Sequence, residues 1–215
     1  MRLYLVRHGQ SSFNAQRLHQ VNTVELSDLG RRQAALVSRR LAALAIDALL
    51  SSPYERAYQT AAAIGEAAGL IAAVTPLLVE VRRPSVIQGR SYDDPEVVAV
   101  KEDILQHTDE VEWRHSDEET SLEAAARAAA CLDLWQGLRR DGAGSVVAVT
   151  HGRFLTTLVA LMLYGHELGP RDIRRVESFL QMHNVGITRC DLADDGNWTL
   201  VTWNDHAHLD ERILE

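Results

Sequence analysis

An α/β fold, with a mostly parallel central sheet and helices on both faces, is what this sequence predicts. Two observations point to it. Short apolar strand patterns alternate with amphipathic helix patterns along most of the 215 residues. Two of those strand patterns, Leu3-Tyr-Leu-Val-Arg-His-Gly9 and Gly144-Ser-Val-Val-Ala-Val-Thr-His-Gly152, also end in the same His-Gly pair. Parallel strands that end alike bring their last side chains to one edge of a sheet. Open α/β sheets bind ligands at that edge.

Each element has its own signal. Residues 2–6 form the first strand pattern and lead into a polar segment, 9–26. Ser27-Asp-Leu-Gly30 opens an amphipathic helix over 28–45, with Ala34, Val37, Leu41 and Leu44 at helical spacing. Residues 47–51 read as the second strand. Ser52-Pro53-Tyr54-Glu55 then has the pattern of a helix start: Ser52 as cap, Pro53 in the first turn, Glu55 three residues after the cap. That helix is expected to end near Ala68, with a third strand over 71–79.

Segment 81–118 breaks the alternation. It is rich in Arg, Asp, Glu and Pro, holds one helix pattern near 95–107, and reads as an excursion over the active edge rather than a linker. An Ala-rich helix spans 119–140, with Leu122, Ala125, Ala129, Leu132 and Trp135 assigned to one side. A strand over 145–150 and a helix over 153–164 follow. Residues 178–203 read as short strands around an Asp194-Asp-Gly-Asn197 turn. There is no internal repeat, and the expectation is one domain over 1–215.

Composition narrows the function classes. At 46% hydrophobic, the chain can bury a sizeable core, yet its apolar runs are too short and interrupted for a transmembrane helix. The start enters a strand directly and shows no signal-peptide pattern. Cys131 and Cys190 are too few for a disulfide framework and read as packed thiols of a cytoplasmic protein. A net charge of −8 argues against a nucleic-acid surface. Of the 22 basic residues only Lys101 is lysine, so any anion site must be built mainly from arginine.

The first strand end is the richest stretch. Arg7 offers planar donors suited to phosphate or carboxylate. His8 offers a nitrogen that serves as nucleophile, base or ligand near neutral pH. Gly9 allows a sharp turn and a close backbone approach to a ligand. Arg56 falls in the first turn of the capped helix, where helix termini attract anions. Read one at a time, Arg56 is also an ordinary surface arginine and His151 an ordinary core histidine.

Taken together and in order, Arg7-His8-Gly9, Asn14, Ser51-Ser-Pro-Tyr-Glu-Arg56-Ala57 and Thr150-His151-Gly152 resemble the histidine phosphatase superfamily, the phosphoglycerate mutase-like family. The match runs over nearly the whole chain. The resemblance implies a three-layer sandwich and a set of roles. His8 would be the nucleophile that forms a phosphohistidine. Arg7, Arg56 and His151 would cradle the phosphoryl oxygens, and Asn14 would add a polar contact. Glu80 would be the acid that protonates the leaving oxygen, with Glu55 and Asp93 as weaker alternatives.

The residue types suit that chemistry. Phosphoryl transfer spreads negative charge over equatorial oxygens, so pre-placed cations are the main catalytic device. A covalent intermediate divides one hard step into two easier ones. His8 must present a neutral in-line nitrogen, while His151 is expected to help most as imidazolium beside the phosphate, since a nearby anion raises its pKa. The scheme needs no metal and no cofactor. The implied partner is a small phosphorylated metabolite; oligomeric state is left open.

The chain also departs from the family pattern. Gln10 and Ser11 stand where Glu and Thr are common, and Val81-Arg-Arg-Pro follows Glu80 in place of a Gly and a second Glu-Gly. Arg153 follows the second His-Gly, where a small residue is usual; it either binds a second anionic group or points to solvent. Arg82, Arg83 and Arg90 are candidates for the same pocket. His206-Ala-His208 has the spacing of a metal-binding pair but no third ligand nearby. Within the resemblance, the leading expectation is phosphatase activity on a phosphomonoester. A cofactor-dependent phosphoglycerate mutase and an inactive binding or scaffold domain of the same fold are the alternatives.

Overall fold

The computed structural model describes residues 1–210 and 213; the remaining positions of the expected 1–215 span lie outside the described residues. In chain order the elements are β1 (Arg2–Arg7), α1 (Ser12–Ala15), α2 (Asp28–Ala42), β2 (Ala48–Ser51), α3 (Glu55–Ala68) and β3 (Ala73–Val74). They continue as α4 (Pro95–Gln106), α5 (Ser121–Arg140), β4 (Ser145–Thr150), α6 (Gly152–Tyr164), α7 (Pro170–Phe179), β5 (Ile187–Leu192) and β6 (Trp198–Asp205).

The strands form one sheet in the order β3-β2-β4-β1-β5-β6. β1 to β4 run parallel, while β5 pairs antiparallel with β1 and β6 antiparallel with β5. β4 is buried at all six positions, as a central strand covered on both faces must be. The period of two sorts its neighbours into two cores. Leu3, Leu5, Val146 and Ala148 face α5 and α6, where Trp135 and Phe154 are fully buried. Tyr4, Val6, Val147 and Val149 face α2 and α3, against Val37, Leu41, Ala61 and Ile64. Emptying the Trp135 site with alanine removes one of the largest core side chains, a loss of about 3–5 kcal/mol. The α/β expectation holds, with a helical layer on each side of a six-stranded sheet.

Several local expectations are corrected. The third strand is two exposed residues, not 71–79. Pro76 has no N–H for the ladder, and Thr75 instead caps a 3₁₀ turn over Pro76–Leu78. α3 begins at Glu55 with Tyr54 at its cap position, so Ser52 is not the helix cap. α5 turns a different side inward: Ala124, Ala128, Cys131 and Trp135 are buried, while Leu122 is 55% exposed and Ala129 faces solvent. Small residues there let the helix lie close to the sheet. α7 was not anticipated; Pro170 starts it and Asp172 accepts the Gly169 N–H at 3.1 Å. Strand structure near the end begins only at Ile187. Both cysteines are free and fully buried, and burial pushes each thiol up to about 12. No helix among the described residues is long and apolar enough to cross a membrane.

Candidate active site

The register of the sheet builds the site. Arg7 pairs with Thr150 across β1 and β4, so His8 and His151 each lie one residue beyond the same rung. Ser51 pairs with Val149, which brings Ser52 to the same edge from β2. The imidazole centroids of His8 and His151 are 5.1 Å apart; His8 lines a cleft of about 410 Å³, which the fully buried His151 adjoins through His8 and Arg56 without lining it.

Arg56 ties the floor together. It is 1% exposed. Its Nε donates to His8 Nε2 at 3.2 Å, one Nη to His151 Nδ1 at 3.1 Å, and the other Nη to the Val21 carbonyl at 3.0 Å. A guanidinium only donates, so both imidazole nitrogens that face it carry lone pairs. His8 Nδ1–H therefore donates to the Gly9 carbonyl at 2.7 Å, and His151 Nε2–H to Ser52 Oγ at 2.8 Å. Burial, then the charges of Arg56 and Arg7, hold His8 well below the ordinary imidazole range. Burial, then Arg56, does the same to His151. The buried arginine thus favours the neutral ring at His151; the imidazolium expected there belongs to the ring beside a phosphate. Burial also brings Arg56 down to about 10.

The backbone around His8 is fixed by close packing. A Cβ on Gly30 of α2 would lie 1.9 Å from the Gln10 carbonyl, and one on Gly9 would lie 2.7 Å from the Gly30 carbonyl. Gly9 is needed for contact with α2. Thr60 accepts the Gly9 N–H at 3.1 Å, and Asn184 donates to the His8 carbonyl at 2.9 Å.

The other predicted residues separate into two groups. Arg7 lines the cleft, donates to the Met182 carbonyl, and has a buried Nε with no partner among the described residues. Burial lowers its pKa, opposed by Glu80. The Glu80 carboxylate accepts the N–H groups of Val81 (2.9 Å), Phe154 (2.9 Å) and Arg153 (3.3 Å), which seats it at the start of α6 beside the cleft. Asn14 also lines the cleft, and its Oδ1 accepts the Ser11 N–H at 3.2 Å.

Arg82, Arg83 and Arg153 line the cleft as well, but Arg153 is committed to Glu177 through an ion pair. Arg90 is a correction. It points away, ion-paired to Asp94 (2.8 Å) and Glu96, and does not line the cleft. Neither alternative acid lines it: Glu55 binds Gln59 and Asp93 pairs with Arg17 at the surface. His206 holds the Asn204 carbonyl and packs on His183 at 4.5 Å. Among the described residues there is no cluster of three or more potential metal ligands.

Sequence reasoning missed Ser52, Tyr54 and Asn184. Ser52 was read as a helix cap, although its place at the end of β2 was a usable signal. Tyr54 meets His151 edge-on at 5.2 Å between ring centres and carries the Arg56 guanidinium over its ring at 5.3 Å. Asn184 comes from an irregular stretch with no periodicity to read.

Comparison with known proteins identifies the family. The sequence pattern of the histidine phosphatase superfamily (branch 1) matches residues 3–206. A protein named probable phosphoglycerate mutase GpmB, from Yersinia pestis, is 29% identical over 224 residues, covering 100% of this chain and 98% of that protein. A mycobacterial glucosyl-3-phosphoglycerate phosphatase, solved with VO3, is 28% identical with a TM-score of 0.77, covering 94% of this chain and 98% of that one. A phosphoserine phosphatase from Entamoeba histolytica, at 24% identity and a TM-score of 0.77 over 97% and 98% of the two chains, shares the fold. With a superfamily match across nearly its full length, the chain belongs to the histidine phosphatase superfamily.

Proposed function

We propose that this protein is a phosphatase that hydrolyses a small phosphomonoester through a phosphohistidine on His8. One observation carries the reading. His8 Nε2 bears a lone pair beside a fully buried guanidinium, and its tautomer is fixed by the 2.7 Å bond from Nδ1–H to the Gly9 carbonyl.

In the first step Nε2 bonds to phosphorus and the bond to the ester oxygen breaks. Arg7, Arg56 and His151 take the equatorial oxygens, with Asn14 adding a contact. The unpartnered Arg7 Nε is one donor waiting for such an oxygen. An anion at that point favours the charged form of His151 and so recruits it as a third cation. Glu80, in its acid form, gives its proton to the leaving oxygen. In the second step water attacks phosphorus, the N–P bond breaks, and the Glu80 carboxylate takes the water proton. Within this reading residues 1–215 act as one domain, and two buried free thiols suit a cytoplasmic setting.

The name of the Yersinia relative supports a second reading, in which a hydroxyl replaces water and the phosphoryl group is returned to an isomeric product. Rapid quench with ³²P-labelled substrate tests both. The expected result is an acid-labile, base-stable label on the protein, absent from His8→Ala, with inorganic phosphate as the product. No label, or substantial turnover by pure His8→Ala, overturns the nucleophile assignment. Net isomerisation of 3-phosphoglycerate without phosphate release favours the mutase.

A further inference from the structure

The loop that enters β5, residues 181–186, holds the Arg7–His8 strand end. The Val185 N–H donates to the Arg7 carbonyl at 3.0 Å, and the Arg7 N–H donates to the Gly186 carbonyl at 3.3 Å. The Asn184 amide donates to the His8 carbonyl, and one Arg7 Nη donates to the Met182 carbonyl. That last bond fixes which part of the guanidinium is engaged. It occupies the Nη and leaves Nε, buried and without a partner among the described residues, for an oxyanion in the cleft.

Asn204, on β6, grips the peptide to which that carbonyl belongs. The peptide between Met182 and His183 is planar and trans, so its C=O and N–H point in opposite directions. The C=O meets Arg7, and the His183 N–H donates to Asn204 Oδ1 at 2.9 Å. Asn204 Nδ2 donates to the Gln181 carbonyl, in the preceding peptide, at 3.2 Å. One amide thus holds the peptides on both sides of Met182. A β-bulge presents it. Between the pairs Ile187–Asp205 and Arg189–Thr202, β5 has one residue and β6 has two. Asn204 takes a left-handed φ of 49° there, a region that Gly and Asn enter most readily. It is buried, and its N–H donates to Thr188 Oγ1 at 3.1 Å. The fit is tight: a Cβ on Gly186 would lie 2.0 Å from Asn204 Oδ1.

We propose that Asn204 is a positioning residue for phosphate binding, which sets the Arg7 guanidinium through the Met182–His183 peptide. Asn204 does not itself line the cleft. The proposal rests on the reading of Arg7 as a phosphate ligand. Trp203 Nε1 also donates to the Gln181 carbonyl, at 2.8 Å, so that carbonyl keeps a donor when Asn204 is changed. The His183 N–H loses its acceptor. Removing the amide therefore frees chiefly the peptide that holds Arg7, while the ladder between β1 and β5 stays in register.

Calorimetric titration with inorganic phosphate, in a double-mutant cycle of Asn204→Gly and Arg7→Gln, tests this. Glycine accepts the left-handed backbone and removes only the amide. With Arg7 present, Asn204→Gly should weaken phosphate about tenfold, as for a charge-assisted contact put out of line. With Arg7→Gln in place, the same change should cost less than about twofold. A merely structural role would give the same loss in both backgrounds. That result, or no loss in either, overturns the proposal. If Asn204→Gly folds poorly, Gly186→Ala runs the same cycle, because its Cβ displaces the same amide. A wild-type protein that binds no phosphate would remove the reading of Arg7 itself. Coupling to Arg7 without hydrolysis of any phosphomonoester would leave Asn204 in its role and remove the phosphatase reading; hydrolysis with equal losses would do the reverse.

Discussion

The floor of the cleft and its distal wall are built by different means. The floor hangs from the ends of three parallel strands, and the β1–β4 register sets its geometry. Its groups bond to backbone or to each other: His8 to the Gly9 carbonyl, Arg56 to Val21 and to both imidazoles. The wall, within 80–118, is made of α4 and the turns around it, fastened by side chains such as Arg82 to the Asp117 carbonyl and Asp117 to the Ser85 N–H. A rigid floor suits a reaction common to many substrates, whereas a side-chain-fastened wall can change its ligand without disturbing the sheet. Floor substitutions should therefore damage turnover of every substrate, and wall substitutions should discriminate between substrates.

The largest effect is expected at the floor. Arg56→Lys keeps a charge but loses the fork that reaches both histidines, and kcat/KM should fall by about 10²–10³ on all substrates. A loss confined to one substrate would break the division between floor and wall. Glu80 sits where the two regions meet. Glu80→Gln preserves an acceptor for the α6 N–H groups but removes the proton, so it should slow alkyl phosphates by about 10²-fold and p-nitrophenyl phosphate much less. Equal losses would point to a different acid.

Stability carries a floor signature too. His8 and His151 titrate lower in the fold than the usual 6.5 of an unfolded chain, so below that pH the unfolded chain binds more protons. Their contribution is complete above pH 6.5 and is lost as pH falls through the window below it. Chemical denaturation from pH 7.5 to 5 should show that decline, and His8→Asn should flatten it. A slope unchanged in the variant would mean that other groups carry it. The smallest effect belongs to Arg90→Gln. With its guanidinium paired to Asp94 and Glu96 away from the cleft, kcat/KM should stay within about threefold, as for other surface substitutions. A large selective loss would place Arg90 back in the wall.

The same division decided how much was legible in the sequence. His8, Arg7 and His151 could be read because a strand pattern followed by His-Gly fixes both an element and a position on it. Arg56 could be read from the motif around it, although the cap beneath that reading was wrong: Ser52 holds His151 instead of opening the helix. The wall resisted because its organisation lies in pairings between residues distant in sequence. Arg83, Arg90 and Arg153 look alike in the chain; only the placement of Glu177, Asp94 and Glu96 shows which of them is spent. The same limit explains α5. Alanine on every side leaves the helix phase undetermined, and Trp135 alone did not fix it.

The two cysteines have a use unconnected with catalysis. Cys131 on α5 and Cys190 on β5 lie in one core on the α5–α6 side of the sheet, with thiols pushed up to about 12. Alkylating reagents attack thiolate, so the closed molecule is inert to them. Labelling should proceed only through opened molecules, and its rate then reports how often the core opens. Mass spectrometry can separate the Cys131 and Cys190 adducts. Equal rates would mean that α5 and β5 open together; unequal rates would show the helix lifting from the sheet by itself. The protein thus carries its own two-channel probe of breathing, with no added label.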